Sequence, residues 1–229
     1  MKSQLLDLEP VKKLLLKHTE HKSNYVQDFY GLSLTIHPDV FNPEYTNVSK
    51  LLGQYLKTKT NIKYNHVLDM FCGSGALGLL IANQTKKILG LDISELAISC
   101  SKANATNLGM TNAEYRLSDL WNGIQESEKF DLIIANPPLL PITPENILEK
   151  AVADSPDMST TMNFISNCHK YLTPEGKALM AFSNATKVIF KNPLNHIRKI
   201  AEDSELKMRV VAKKDVGYEV YRILEFKRR

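Results

Sequence analysis

Within twelve residues, Val67-Leu68-Asp69-Met70-Phe71-Cys72-Gly73-Ser74-Gly75-Ala76-Leu77-Gly78, an apolar run ends, two glycines follow and a helix pattern begins. This order reads as a buried strand, a tight turn and a helix N-terminus. Gly73 and Gly75 allow the backbone to turn sharply and a ligand to approach it without a side chain intervening. The G-x-G-x-x-G spacing alone does not separate ligand classes, because dinucleotide enzymes share it. Asp69 argues against them: a carboxylate four residues before Gly73 would repel a pyrophosphate and suits a zwitterion that carries an ammonium and a sulfonium. Cys72 reads as a turn residue beside the ligand and not as a nucleophile, since no His is near it in sequence to activate a thiol.

Outward from this turn, short apolar runs alternate with helical segments. Ile88-Leu89-Gly90-Leu91-Asp92 and Asp131-Leu132-Ile133-Ile134-Ala135 read as further buried strands, and Glu114 to Ser118 as a strand between them. Ala76 to Asn83, Glu95 to Leu108 (with Ser94 as N-cap) and Met158 to Leu172 read as helices. Thr173-Pro174-Glu175-Gly176 should stop the last helix before a strand at Lys177 to Phe182. This alternation predicts an α/β fold with a mostly parallel sheet and helices on both faces. Lys207 to Lys213 and Tyr218 to Phe226 are joined through Asp215-Val216-Gly217. That connection is too short for a parallel crossover, so these two strands should be antiparallel neighbours.

The first sixty residues differ. Pro10 suits the first turn of a helix through Leu14, Leu15 and Leu16; Leu32, Leu34 and Ile36 alternate like a half-buried strand; Val48, Leu51, Leu52, Tyr55 and Leu56 form a helix stripe. We divide the chain into an N-terminal helical and cofactor-covering extension, residues 1–60, and a core, residues 61–229. The 229 residues, 43% hydrophobic and 24% charged, suit one sizeable core. The net charge of +4 is too mild to single out a nucleic-acid binder, and Lys227-Arg228-Arg229 reads as a solvated tail. Three scattered cysteines give neither a disulfide framework nor a zinc site, and His18 and His21 read as a surface helix face, so no metal is expected. Asp7 and Glu9 interrupt the N-terminal leucines, and no apolar run nears the ~20 residues of a membrane helix. The expectation is a cytoplasmic protein with no membrane partner.

Asp92 closes the second strand nineteen residues after Gly73, where a carboxylate can accept hydrogen bonds from two ribose hydroxyls. Asp119 follows the third strand and could accept from an adenine amino group. Open α/β sheets bind ligands in the crevice that these strand ends share. The fourth strand leads into Asn136-Pro137-Pro138-Leu139. Taken together, Asp69 to Gly75, Asp92, Asp119 and Asn136-Pro137-Pro138 resemble the successive motifs of class I S-adenosyl-L-methionine (SAM)-dependent methyltransferases. In that class, Asn-Pro-Pro followed by an aromatic marks enzymes that methylate planar nitrogens. They include adenine amino methyltransferases and the release-factor and ribosomal-protein glutamine methyltransferases. Val40-Phe41-Asn42-Pro43-Glu44-Tyr45-Thr46, continuing to Leu51-Leu52, resembles the segment that helps cover the cofactor in the glutamine and small-domain rRNA branches.

The resemblance spans about residues 31 to 184. It implies a Rossmann-like methyltransferase fold, with a seven-stranded, mostly parallel sheet and one antiparallel strand. It also implies SAM held by Asp69, Cys72, Gly73, Gly75, Asp92, Asp119 and Asn136, and an acceptor beside Phe41, Pro138 and Leu139. Asn136 and Pro137 would be catalytic: the Asn136 side-chain oxygen and the Pro137 carbonyl accept the hydrogens of a planar nitrogen and free its lone pair for in-line attack. Leu139 departs from the pattern, standing where the family carries Tyr or Phe. The Pro-rich stretch Leu140 to Pro144 should form an ordered wall near the acceptor. A protein glutamine or a small metabolite is the favoured acceptor, with an RNA or DNA base amino group as the alternative. A non-catalytic SAM-binding partner subunit is a further alternative, which the intact Asn136-Pro137-Pro138 opposes.

Overall fold

The apolar runs that mark the strands are buried because helices cover both faces of one sheet. A computed structural model of the chain describes residues 9–146, 148–185 and 189–229; Asp7, read above as interrupting a leader, lies outside them. In chain order the elements are α1 (Glu9–Thr19), β1 (Tyr25–Phe29), β2 (Leu32–Ile36), α2 (Asn47–Lys57), β3 (Tyr64–Met70), α3 (Ala76–Leu80), β4 (Thr85–Asp92), α4 (Glu95–Asn107) and β5 (Ala113–Leu117). They continue as β6 (Phe130–Ala135), β7 (Leu140–Pro141), β8 (Ala153–Asp154), α5 (Ser159–Tyr171), β9 (Leu172–Ser183), α6 (Pro193–Asp203), β10 (Leu206–Asp215) and β11 (Val220–Arg228).

The main sheet has seven strands in the order β10-β11-β9-β6-β3-β4-β5. Pairs from β9 to β5 are parallel, and β11 is antiparallel to both β9 and β10, as the short link through Gly217 requires. Side-chain alternation splits the core in two. Val67, Ile88, Leu132, Leu179 and Ile223 point to one face, packing with Leu52 and Leu56 of α2, Leu77 and Leu79 of α3, and Phe29, Leu34 and Ile36 of the hairpin β1–β2. Leu68, Leu89, Ile133, Met180 and Leu224 point to the other, packing with Phe164 and Ile165 of α5 and Ile197 of α6.

Several expectations change in detail. Thr173 to Gly176 do not end the helix before a separate strand: β9 begins at Leu172, which pairs with Phe130, and its pairing resumes at Lys177 opposite Leu132, so the four residues form an irregularity inside one strand. Lys227 and Arg228 extend into the last strand, and Arg229 N–H donates to Glu205 O at 3.0 Å, so the basic end is sheet and not tail. His18 is only 1% exposed, because α1 turns it onto Phe41 and Tyr45. No helix among the described residues is long and apolar enough to cross a membrane.

Candidate active site

From β3 the chain winds outward to β4 and β5, then returns to β6 on the other side of β3. A crevice opens where the direction reverses, at the C-terminal strand ends. It holds a cavity of about 420 Å³, within the range of small-molecule sites. Phe41, Cys72, Gly73, Asp92, Asp119, Asn136 and Pro138 line it, residues that lie up to 97 positions apart in sequence. Asp69, Gly75, Pro137 and Leu139 do not.

Each absence has a geometric cause. Asp69 shares the strand face of Val67, so its side chain runs under α3 and not into the crevice. It is 1% exposed, and its Oδ2 accepts the Gly78 N–H at 2.8 Å. Burial pushes its carboxyl up to about 7; the Gly78 N–H works against that rise and the nearby Asp92 charge adds to it. Asp69 ties α3 to β3 and does not border the cavity. Gly75, at φ 80°, is demanded by packing, since a Cβ there would lie 2.9 Å from Tyr115 Oη and 3.1 Å from Ser101 Cβ. Gly73, at φ 53°, has no atom within 4 Å of the place a Cβ would take, which leaves the open approach the motif implies. Pro137 is buried and does not line the cavity. Leu139 packs against the α2–α3 side of the core while its N–H donates to Val152 O at 3.0 Å. Its side chain does not line the cavity, whose flat faces come from Phe41 and Phe71.

Asp92 keeps its expected place. Its Oδ2 accepts the Gly73 N–H at 2.9 Å and its Oδ1 the Ser94 N–H at 3.0 Å. Burial raises its pKa against those N–H contacts. A carboxylate oxygen has more than one lone-pair site, so both oxygens can still accept ribose hydroxyls. Asp119 stands at the N-cap of a short 3₁₀ turn but makes no capping bond, leaving its carboxylate available at the cavity. The stretch Thr143–Pro144 also lines the cavity, held by pairing of β7 with β8.

Sequence reading missed several lining groups. Ile93, 52% exposed, directly follows Asp92 and gives an apolar edge beside it; Leu120 lies next to Asp119. Leu120 and Phe71 take left-handed backbone, φ 48° and 62°, a conformation that costs of order 1–3 kcal/mol and clusters at ligand sites. No periodicity announces it. Ser74 is 2% exposed at the cavity and its hydroxyl has no partner. A carboxylate with lone pairs to spare, apolar edges for a flat ring, an open glycine and an unsatisfied hydroxyl fit a nucleoside with a polar tail, as SAM is.

Comparison with known proteins agrees. A methyltransferase-domain family model matches residues 63–228. The chain is 33% identical over 120 residues to a Methanocaldococcus jannaschii protein whose name proposes protein N5-glutamine methylation, covering 52% of this chain and 57% of that one. It is 28% identical over 142 residues to the 23S rRNA (uracil(747)-C(5))-methyltransferase of Shewanella pealeana, covering 58% of this chain and 38% of that one. The chain thus spans less than two thirds of the length of these relatives. The T. thermophilus 16S rRNA N2 G1207 methyltransferase, solved with AdoMet and guanosine, superposes with a TM-score of 0.66 at 18% identity, over 90% of this chain and 50% of that one. The ribosomal protein L11 methylase of Lactobacillus delbrueckii subsp. bulgaricus superposes with a TM-score of 0.57, also at 18% identity, over 79% and 78%. At that identity the two likenesses establish the fold. Fold, crevice and family match lead to one assignment: the chain belongs to the methyltransferase-domain family and has the Rossmann-like fold of class I SAM-dependent methyltransferases.

Proposed function

We propose that this methyltransferase acts on a planar nitrogen, the amide of a protein glutamine or an amide or amine of a small metabolite. The observation that carries the reading is Asn136. It lines the cavity, its Nδ2 donates to Ser49 Oγ at 3.0 Å, and its Oδ1 takes no hydrogen bond from the described residues. A conjugated amide or amine nitrogen is a poor nucleophile. An oxygen that accepts its N–H draws the nitrogen toward tetrahedral geometry and turns its lone pair outward, an interaction that strengthens in the transition state. Bound SAM supplies an electrophilic methyl on a sulfonium. Asp92, Asp119, Gly73 and Ser74 are the residues that would hold it. Pro137 is buried and does not line the cavity, whereas Asn136 does, so we assign the proton-accepting contact mainly to Asn136.

Cys72 favours nitrogen over carbon. Uracil C5 becomes nucleophilic only after a thiolate adds to the neighbouring carbon. Cys72 lines the cavity, but burial, with the charges of Asp92 and Asp69 adding, holds its pKa well above the ordinary thiol range and keeps it protonated. The second reading is an RNA base amino group, favoured by the rRNA substrates named for relatives and by the flat faces of Phe41 and Phe71. Labelled SAM incubated in parallel with release factors, ribosomal proteins, total RNA and a metabolite extract tests both. We expect label on a glutamine amide or a metabolite nitrogen. Label only on an exocyclic base nitrogen would reverse the acceptor ranking, and label on uracil C5 would refute nitrogen transfer.

A further inference from the structure

We infer that Ser49, on α2 of the N-terminal segment, is a positioning residue that decides which end of the Asn136 amide faces the acceptor. The inference rests on the reading of Asn136 given above. An amide presents an acceptor at one end and two donors at the other, and only the acceptor end helps a nitrogen that must give up its hydrogens. Asn136 sits at the end of β6 with no neighbour in sequence to fix its rotation. Its Nδ2 meets Ser49 Oγ at 3.0 Å across 87 residues of chain. Ser49 is fully buried, so water does not compete for its hydroxyl.

The polarity of this contact depends on a neighbouring hydroxyl. Ser49 Oγ lies 2.7 Å from the hydroxyl of Thr46, the N-cap of α2. When the Ser49 proton goes to Thr46 Oγ1, its own oxygen can only accept. It then takes the Asn136 NH₂ and leaves Oδ1 facing the cavity. With Ser49 absent, the amide is free to turn and present its donors, which oppose the N–H groups of the acceptor. Ser49 lies outside the residues matched by the family model, so a side chain of the extension, beyond covering the cofactor, orients a residue of the core.

The test has an arm that needs no acceptor. In ¹⁵N-labelled protein the Asn136 side-chain NH₂ signals are identified by their loss in Asn136→Asp. Ser49→Ala and Thr46→Val should each shift them, while melting temperature and calorimetric SAM affinity verify that each variant is folded. The second arm measures the initial rate of label transfer from saturating SAM to the fraction labelled by the wild type. Ser49→Ala should lower it about tenfold, the order expected for one lost hydrogen bond, with SAM affinity unchanged. In an Asn136→Ala background it should lower it no further, because Ser49 acts through Asn136. Unshifted NH₂ signals in folded Ser49→Ala, or an additive loss in the double variant, would overturn the inference. Near-normal transfer by Asn136→Ala would instead overturn the reading of Asn136, whatever the NH₂ signals show.

Discussion

Asp92 spends one lone pair of each oxygen on the Gly73 and Ser94 N–H groups and still borders the cavity. Asp92→Ala should therefore weaken SAM binding by about 1–3 kcal/mol, the range for hydrogen bonds to a charged group. Calorimetry checks it, and unchanged affinity would remove the ribose assignment. Asp69 lies on the same sheet face as Asp92 but two residues further back from the strand ends, where α3 covers it. Its carboxyl titrates at about 7 in the folded chain against an ordinary value of about 4. Between those values the folded state holds a proton that the unfolded chain has released. Its contribution to stability is greatest below about pH 4 and is lost as pH rises through 7. Asp69→Asn has no such proton. Its stability relative to wild type should improve with pH across this window, by roughly 1.4 kcal/mol per unit at most. Urea unfolding at pH 5 and pH 8 measures the difference, and a gap that does not change with pH would show Asp69 to be ionised throughout. Sequence alone could place both acids at strand ends. It could not tell that α3 folds back over Asp69 and leaves Asp92 at the cavity, because that depends on how the turn at Gly73 and Gly75 places the helix.

Helix α1 docks through His18, whose ring stacks on Phe41 at 5.9 Å and meets Tyr45 edge-on at 5.0 Å. Burial, with the His21 charge adding, lowers its pKa to about 4. The ordinary value is near 6.5, so the docked helix is fully supported above that pH and loses support as pH falls toward 4, where the ring must be protonated. Hydrogen exchange should show α1 amides less protected at pH 5 than at pH 7, and His18→Phe should flatten that dependence. Equal protection of the wild type at the two pH values would refute it. Elements were legible where burial on both faces leaves a continuous apolar run, as in Ile88 to Leu91. β1 was not: Tyr25-Val26-Gln27-Asp28-Phe29 carries polar residues, and its Val26 is 70% exposed, so neither a buried run nor a clean alternation appears. α6 was missed although Asn192 caps it, Pro193 opens it and Leu194, Ile197, Ile200 and Ala201 recur at helical spacing. The site divided in the same way. Gly73 and Asp92 sit in motifs with fixed spacing, whereas the Ser49–Asn136 contact joins segments 87 residues apart and leaves no local trace.

Residues on both sides of position 60 share one buried cluster. Phe29, Leu34 and Ile36 of the hairpin and Val48, Leu52 and Leu56 of α2 are buried in the same cluster as Val67, Ile88, Leu132 and Ile223 of the sheet. Stripping residues 1–60 would expose the part of that sheet face that α2 and the hairpin cover, at roughly 25 cal/mol per Å² of apolar surface. We therefore propose that extension and core unfold together. Denaturant titration followed by Trp121 fluorescence, on the opposite face of the sheet, and by far-ultraviolet circular dichroism should give coincident single transitions. Because the cavity is walled by both parts, Phe41 from one and Asp92 from the other, SAM should shift that one transition as a whole. At a hundredfold excess over its dissociation constant the shift corresponds to about 2.7 kcal/mol. Two transitions, with SAM moving only the later one, would show that the extension is a separate unit and that Phe41 contributes nothing to cofactor binding.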